Sequence, residues 1–166
     1  MYNVGSVVVH PTHGTGILKA ITQMVVLGRP TNYYVFDFAL NDLNKVMIPV
    51  DKAAQAGIRL PVQASVLDKA LNYLSSEENL IPEARTNFHR IHKDYSERVS
   101  SGDILEVAKV YKALCIKGAD KELGLKDKML YEKTEKLLLG EIEATYHISA
   151  DESRSKLRDS LRLGNE

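Results

Sequence analysis

Two histidines three residues apart, His10 and His13, precede Gly14-Thr15-Gly16 near the start of a 166-residue chain. Imidazoles can ligate a metal or carry a proton, and glycine-rich turns can cradle phosphate. Neither chemistry is complete here. A zinc site needs further ligands, and the neighbouring residues supply no cysteine or carboxylate. A phosphate loop needs a lysine after its last glycine and then a helix, whereas Ile17 and an apolar run follow Gly16. These residues suit a turn instead. Pro11 cannot donate to a sheet ladder and ends a strand. Gly14 and Gly16 permit the positive φ of a sharp reversal. The single cysteine, Cys115, lies in a helical apolar pattern and reads as a buried, inert thiol. There is no Gly-x-Ser-x-Gly elbow. Asp127, Glu132 and Glu135 mingle with Lys126, Lys128, Lys133 and Lys136, the pattern of a solvated helix face with i,i+4 pairs. The chain is therefore expected to be no enzyme and to need no metal or cofactor.

One cluster survives this sifting. Arg85, Phe88, His89, Arg90, His92 and Lys93 place aromatic and basic groups within about two helical turns. An aromatic wedge flanked by cations is a design that contacts a distorted minor groove. The competing reading makes Phe88 part of a core stripe with Ala84, Ile91 and Tyr95, and leaves the cations to solvent.

Two halves of different apolar period must position these groups. Residues 4–50 alternate with a period near 2. Ile17 to Leu27 reads as one long strand, Gly28 to Asn32 as a turn, Tyr33 to Phe38 as a strand, Asn41-Asp42 as a turn, and Lys45 to Val50 as a last strand ended by Pro49. Several short strands in about fifty residues imply a small, twisted β-sheet or Tudor-like (SH3-like) barrel. From residue 62 the period becomes that of a helix. Apolar residues recur at three and four through Leu67–Leu74, Ile81–Val99, Ile104–Cys115 and Leu125–Ile142, with breaks at Ser75-Ser76, Ser100-Gly102 and Gly118-Asp120. Ser149 followed by Glu152 is a capping-box pattern ahead of a thin apolar stripe. The expected fold is α+β: a β-domain over 1–52, a linker over 53–61, a compact helical bundle over 62–146, and a C-terminal extension over 147–166 that is a short helix or frayed.

Composition sets further bounds. The 44% apolar and 27% charged content is that of an ordinary soluble globule. No apolar run approaches the ~20 residues that span a bilayer, and no secretion signal opens the chain, so a cytoplasmic protein is expected. The 22 basic and 22 acidic side chains cancel, which excludes a protein held on nucleic acid by bulk charge. Any DNA contact must be local, and weak alone.

The stretch from Val4 to Ile17 resembles the N-terminal signature of CarD/CdnL-type bacterial transcription regulators, which the polymerase-interacting domain of the transcription-repair coupling factor shares. Val46-Met47-Ile48-Pro49-Val50 is similar to that family's barrel-ending strand, and Gly57-Ile58-Arg59 to its linker. Ser101-Gly102-Asp103-Ile104-Leu105-Glu106-Val107-Ala108 resembles the family's Ser-Gly-Asp-x-x-Glu-Val-Ala segment. Asn87-Phe88-His89-Arg90-Ile91-His92 stands where the family commonly has Asn-Trp-x-Arg-Arg-Tyr, so Phe88 takes the place of a tryptophan. The match runs over roughly residues 3–145.

The resemblance implies a non-catalytic regulator. Its N-terminal domain would bind the RNA polymerase β subunit through an edge strand, with Met24, Val25, Val26 and Met47 at the matching positions. Its helical domain would meet promoter DNA at the upstream edge of the bubble through Arg85, Phe88, His89, Arg90, Lys93, Lys126 and Lys128, and stabilise the open complex. A monomer that joins the nucleoid through polymerase and has no membrane partner is expected. The alternatives are a Tudor-like module that binds peptide or RNA without polymerase, and a small helical enzyme, for which the sequence shows no polar cluster.

Overall fold

A computed structural model describes residues 1–40, 45–79 and 88–162, with the backbone alone at Phe88 and Arg162. The chain forms two compact units, residues 1–61 and 62–166. The α+β arrangement expected from the apolar periods is the one observed.

The first unit is an antiparallel sheet of β1 (Val7–His10), β2 (Gly14–Val26), β3 (Arg29–Phe38) and β4 (Val46–Pro49), in that spatial order. Its core face carries Val8, Leu18, Tyr34, Phe36, Phe38 and Ile48. The turn from β1 to β2 is organised by His10, whose Nδ1 accepts the backbone N–H groups of Thr12 (3.1 Å) and His13 (3.2 Å). The two imidazoles stack with centroids 4.5 Å apart. Gly14 has the expected positive φ, +72°. Gly16 does not; it is glycine because a Cβ there would lie 2.3 Å from Phe38 Cδ1.

Of the two forms expected, a twisted sheet or a barrel, the open sheet is the one observed: β1 pairs not with β4 but, through Val9, with Arg59, by reciprocal backbone bonds of 2.7 and 3.1 Å. That pairing draws the expected linker into the unit, and Ala53 and Ile58 are buried in the sheet's core. The turn expected over Gly28–Asn32 is confined to Leu27 and Gly28, both at positive φ, as a two-residue type I′ hairpin requires. Pro30 stays inside β3. In such a hairpin Val26 and Arg29 form the hydrogen-bonded pair, so the next pair, Val25 with Pro30, lacks nothing by the missing N–H. The expected turn at Asn41-Asp42 lies outside the described residues.

The second unit holds α1 (Ala64–Ser75), α2 (Phe88–Ser100), α3 (Ile104–Asp120), α4 (Leu125–Tyr146) and α5 (Ala150–Arg162). Leu67, Leu71, Leu74, Val107, Tyr111, Leu114, Leu138 and Ile142 fill its interior. The expected start of the second helix, Ile81 to Ala84, lies outside the described residues. Asp103 caps α3, its Oδ1 accepting from the Leu105 N–H at 2.9 Å. Gly124 opens α4 without a side-chain cap. The capping box at α5 forms in both directions, Ser149 with Glu152, at 3.1 and 3.2 Å. Far from fraying, α5 packs on α1 and α4 and buries Ser153 and Leu157.

Three charged side chains are buried, among them Asp127, which was expected on a solvated helix face. Lys112 in α3 aims its ammonium at the end of α1 and donates to the carbonyls of Tyr73 (2.8 Å), Ser76 (2.6 Å) and Glu78. Glu141 in α4 accepts the Val62 N–H at 2.7 Å, just ahead of α1. Asp127, in the first turn of α4, holds Lys117 of α3 at 2.5 Å. Each answers backbone groups or charge at a helix end, where orphan N–H and C=O groups need partners. Burial holds the Lys112 ammonium below the ordinary lysine range, against the pull of Glu78. Replacing Lys112 by Met should strand those α1 carbonyls and lower unfolding free energy by about 1–3 kcal/mol. Urea denaturation checks it, and an unchanged midpoint would show that water serves the carbonyls equally well.

Candidate functional site

Two surfaces carry the residues singled out by sequence. The first lies on the β2–β3 hairpin. β1 reaches only Gly14–Ile17 of β2, and β4 reaches only Tyr33–Phe36 of β3. Beyond them, Ala20–Val26 and Arg29–Asn32 form a two-stranded ribbon. Its outer edges meet no further strand among the described residues. Such edges are templates for a partner's strand.

The faces of this ribbon follow from the register. Paired residues share a face, and faces alternate along a strand. Met24 opposes Thr31, Val26 opposes Arg29, and Met47 opposes Val35. These three therefore share the face away from the core, with Val7 and Ile17. All five are exposed, Met47 at 42%. Val25 opposes Pro30 and lies on the other face, with Ile21. The structure so brings together three of the four expected contact residues and turns the fourth over. The cause is a bulge between Leu18 and Ala20, which inverts the alternation for the rest of β2. At the tip, Leu27 is 98% exposed at φ +50°. A leucine there costs the turn stability and gains nothing from this chain's own packing, which points to an external contact.

The second surface joins α2 and α4. His89, Arg90 and Lys93 are exposed on α2, and Lys126 and Lys128 on α4. Arg85 lies outside the described residues, as does the Phe88 side chain; the Phe88 backbone begins α2. His92 Nδ1 stands 4.0 Å from Asp127 Oδ1, which sets α2 beside the first turn of α4. Lys126, Met129, Leu130 and Lys133 line a slot with His92. Lys128 follows Lys126 by about 200° around the helix, so the two do not share a face. Met129 and Lys133 were not singled out by sequence, because a methionine among lysines on a charged helix carries no distinguishing spacing.

An ion-pair chain ties α2 to α3. Arg98 Nε meets Asp94 at 2.9 Å, its Nη1 meets Glu106 at 2.7 Å, and Glu106 meets Lys109 at 2.6 Å. The Lys109 hydrogen bond and then Arg98 hold the Glu106 carboxyl below its ordinary value, and the Asp94 and Glu106 bonds raise Arg98.

Reactive chemistry is discouraged at the other candidates. Burial pushes the Cys115 thiol up to about 11, far from a ready thiolate. The His10 nitrogen already holds the turn. Among the described residues, no three His, Cys, Asp or Glu side chains gather as a metal site would need. No helix among them is long and apolar enough to cross a membrane.

Comparison with known proteins agrees with this layout. Residues 2–61 match a family described as the CarD-like/TRCF RID domain, and residues 69–158 match one described as the CarD C-terminal domain. The chain is also similar to a Bacillus subtilis (strain 168) protein named "Putative transcription factor YdeB". The identity is 26% over 157 residues, covering 93% of this chain and 99% of that protein.

The Glu106 pairing gives a pH dependence. Its folded value lies below the unfolded one of about 4.5, so its contribution is complete above that pH and fades as pH falls through the folded value. Glu106→Gln should therefore lower the urea midpoint at neutral pH, and the gap to wild type should narrow as the pH is lowered through the folded value. A gap that stays constant with pH would exclude this linkage.

Proposed function

The chain belongs to the CarD-like family of transcription regulators, and we propose that it acts without catalysis, by binding the RNA polymerase β subunit and stabilising the promoter open complex. Polymerase interaction is the property associated with the RID family that residues 2–61 match. The observation that carries the reading is the β2–β3 ribbon. It offers an unpaired strand edge, exposed Met24 and Val26 on the face that Met47 of β4 also shares, and Leu27 at its tip. A partner strand would take main-chain hydrogen bonds from the edge and side-chain contacts from that face.

The DNA contact falls to the α2 side of the second unit, at the upstream edge of the bubble. Arg90 and Lys93 supply positive charge on α2, with Arg85 and His89 close in sequence to Phe88, which takes the position of the family tryptophan. With no net charge, the protein relies on polymerase for delivery. A short tether raises the effective concentration to roughly millimolar, so a weak local contact suffices. A wedge that prefers melted to closed DNA shifts the melting equilibrium by that difference in affinity. The protein would accordingly reside with polymerase on the nucleoid.

Two experiments test this. Met47→Glu should leave the fold intact, since exposed changes usually stay within ~0.5 kcal/mol, and should sharply reduce co-purification with tagged polymerase. Unchanged recovery of the folded variant would remove Met47 from the interface, and failure of the native protein to co-purify would favour a free-standing peptide or RNA binder. Phe88→Ala should shorten open-complex lifetime several-fold, since stacking on an unpaired base is worth ~1–3 kcal/mol, while Phe88→Trp keeps or lengthens it. A drop of ~3–5 kcal/mol in stability for Phe88→Ala, with normal promoter opening, would make Phe88 a core residue instead.

A further inference from the structure

The slot between α2 and α4 has a composition that the wedge does not explain. It is an open groove of about 270 Å³ lined by His92, Lys126, Met129, Leu130 and Lys133. Its floor is apolar: Leu130 is buried, while Met129 at the mouth is 63% exposed. Lys126 and Lys133 are seven residues apart on α4, nearly two full turns, so they flank Met129 on one face about 10 Å apart. Asp127, the carboxylate beside His92, is buried and engaged by Lys117. An apolar floor between two ammonium groups is complementary to a flat ring on an anionic backbone.

Duplex DNA cannot use such a site, because its bases are stacked inside the helix and only edges are presented. An unpaired nucleotide can. A cavity of ~150 Å³ already holds a benzene ring, so this slot has room for a nucleobase. The Met129 thioether would lie against the ring, as methionine sulfur does in aromatic contacts, and the imidazole of His92 would offer it a second wall. Lys126 and Lys133 would take the phosphates on either side.

We propose that this slot receives one unstacked base of single-stranded DNA, so that the protein holds the melted strand as well as wedging the fork. The proposal rests on the promoter-contact reading above and names the DNA form that the α2–α4 face selects. Met129 and Lys133 then join Lys126 as contact residues, whereas Lys128, on the other flank of α4, does not.

The test uses the full-length protein and fluorescence anisotropy at low salt. One probe is a labelled duplex carrying a short unpaired arm; the other is the fully paired duplex of the same sequence. Wild type should bind the forked probe several-fold more tightly than the duplex. Met129→Ala, an exposed substitution whose folding is checked by thermal melting, should bring that ratio close to one, and an abasic position in the arm should do the same to wild type. A fork preference that survives both Met129→Ala and the abasic arm would overturn the slot and leave the fork contact standing. Equal binding of both probes by wild type, or binding of neither at protein concentrations up to the roughly millimolar level that tethering supplies, would overturn the fork-contact reading together with the slot.

Discussion

The ammonium of Lys112 sits inside the helical unit and donates to three carbonyls around the end of α1. Helix termini leave backbone groups without partners, and burying them unsatisfied costs more than any single apolar contact returns. This unit meets that constraint with charge. Lys112 serves the α1 carbonyl end, Glu141 takes the Val62 N–H ahead of α1, and Asp127 sits in the first turn of α4 while holding Lys117 near the end of α3. Each charge arises on one helix and is spent on another. The packing of α1, α3 and α4 is thereby fixed in register as well as in contact.

That fixed frame is what α2 leans on. Its inner side is held by Tyr95 and Val99 in the core and by the Arg98–Glu106–Lys109 pairs to α3. At its other end His92 faces Asp127. The same aspartate thus holds Lys117 of α3, lies in the first turn of α4 and stands beside His92 of α2. The exposed cations of α2 and the slot beside Met129 are presented from a scaffold whose side chains have few alternatives, which lowers the ordering cost of binding.

The sheet unit solves the opposite problem. A four-stranded open sheet has edges to manage. β1 covers one edge with Arg59, and Pro49 blunts β4. The distal ribbon of β2 and β3 is left uncovered, with apolar side chains on both faces. In a chain of zero net charge, that ribbon and the α2–α4 face are the surfaces the proposed contacts would use.

Much of this was legible in the residues. The change of apolar period marked sheet and helices, because period 2 and period 3.6 are direct consequences of backbone geometry. Asp103 and the Ser149–Glu152 pair announced their caps, since capping acts within a few residues. Other features depended on what lies across space. Asp127 read as a surface charge, and Lys112 and Glu141 drew no notice, because nothing local tells a side chain that a neighbouring helix will end beside it. The sheet stayed open because Arg59, distant in sequence, took the edge of β1. The bulge at Lys19 reversed every later side chain of β2, so Met24 and Val26 face outward with Met47 while Val25 turns away. Composition sets which residues can make a contact; on a strand of alternating faces, one extra residue in the ladder decides which of them do.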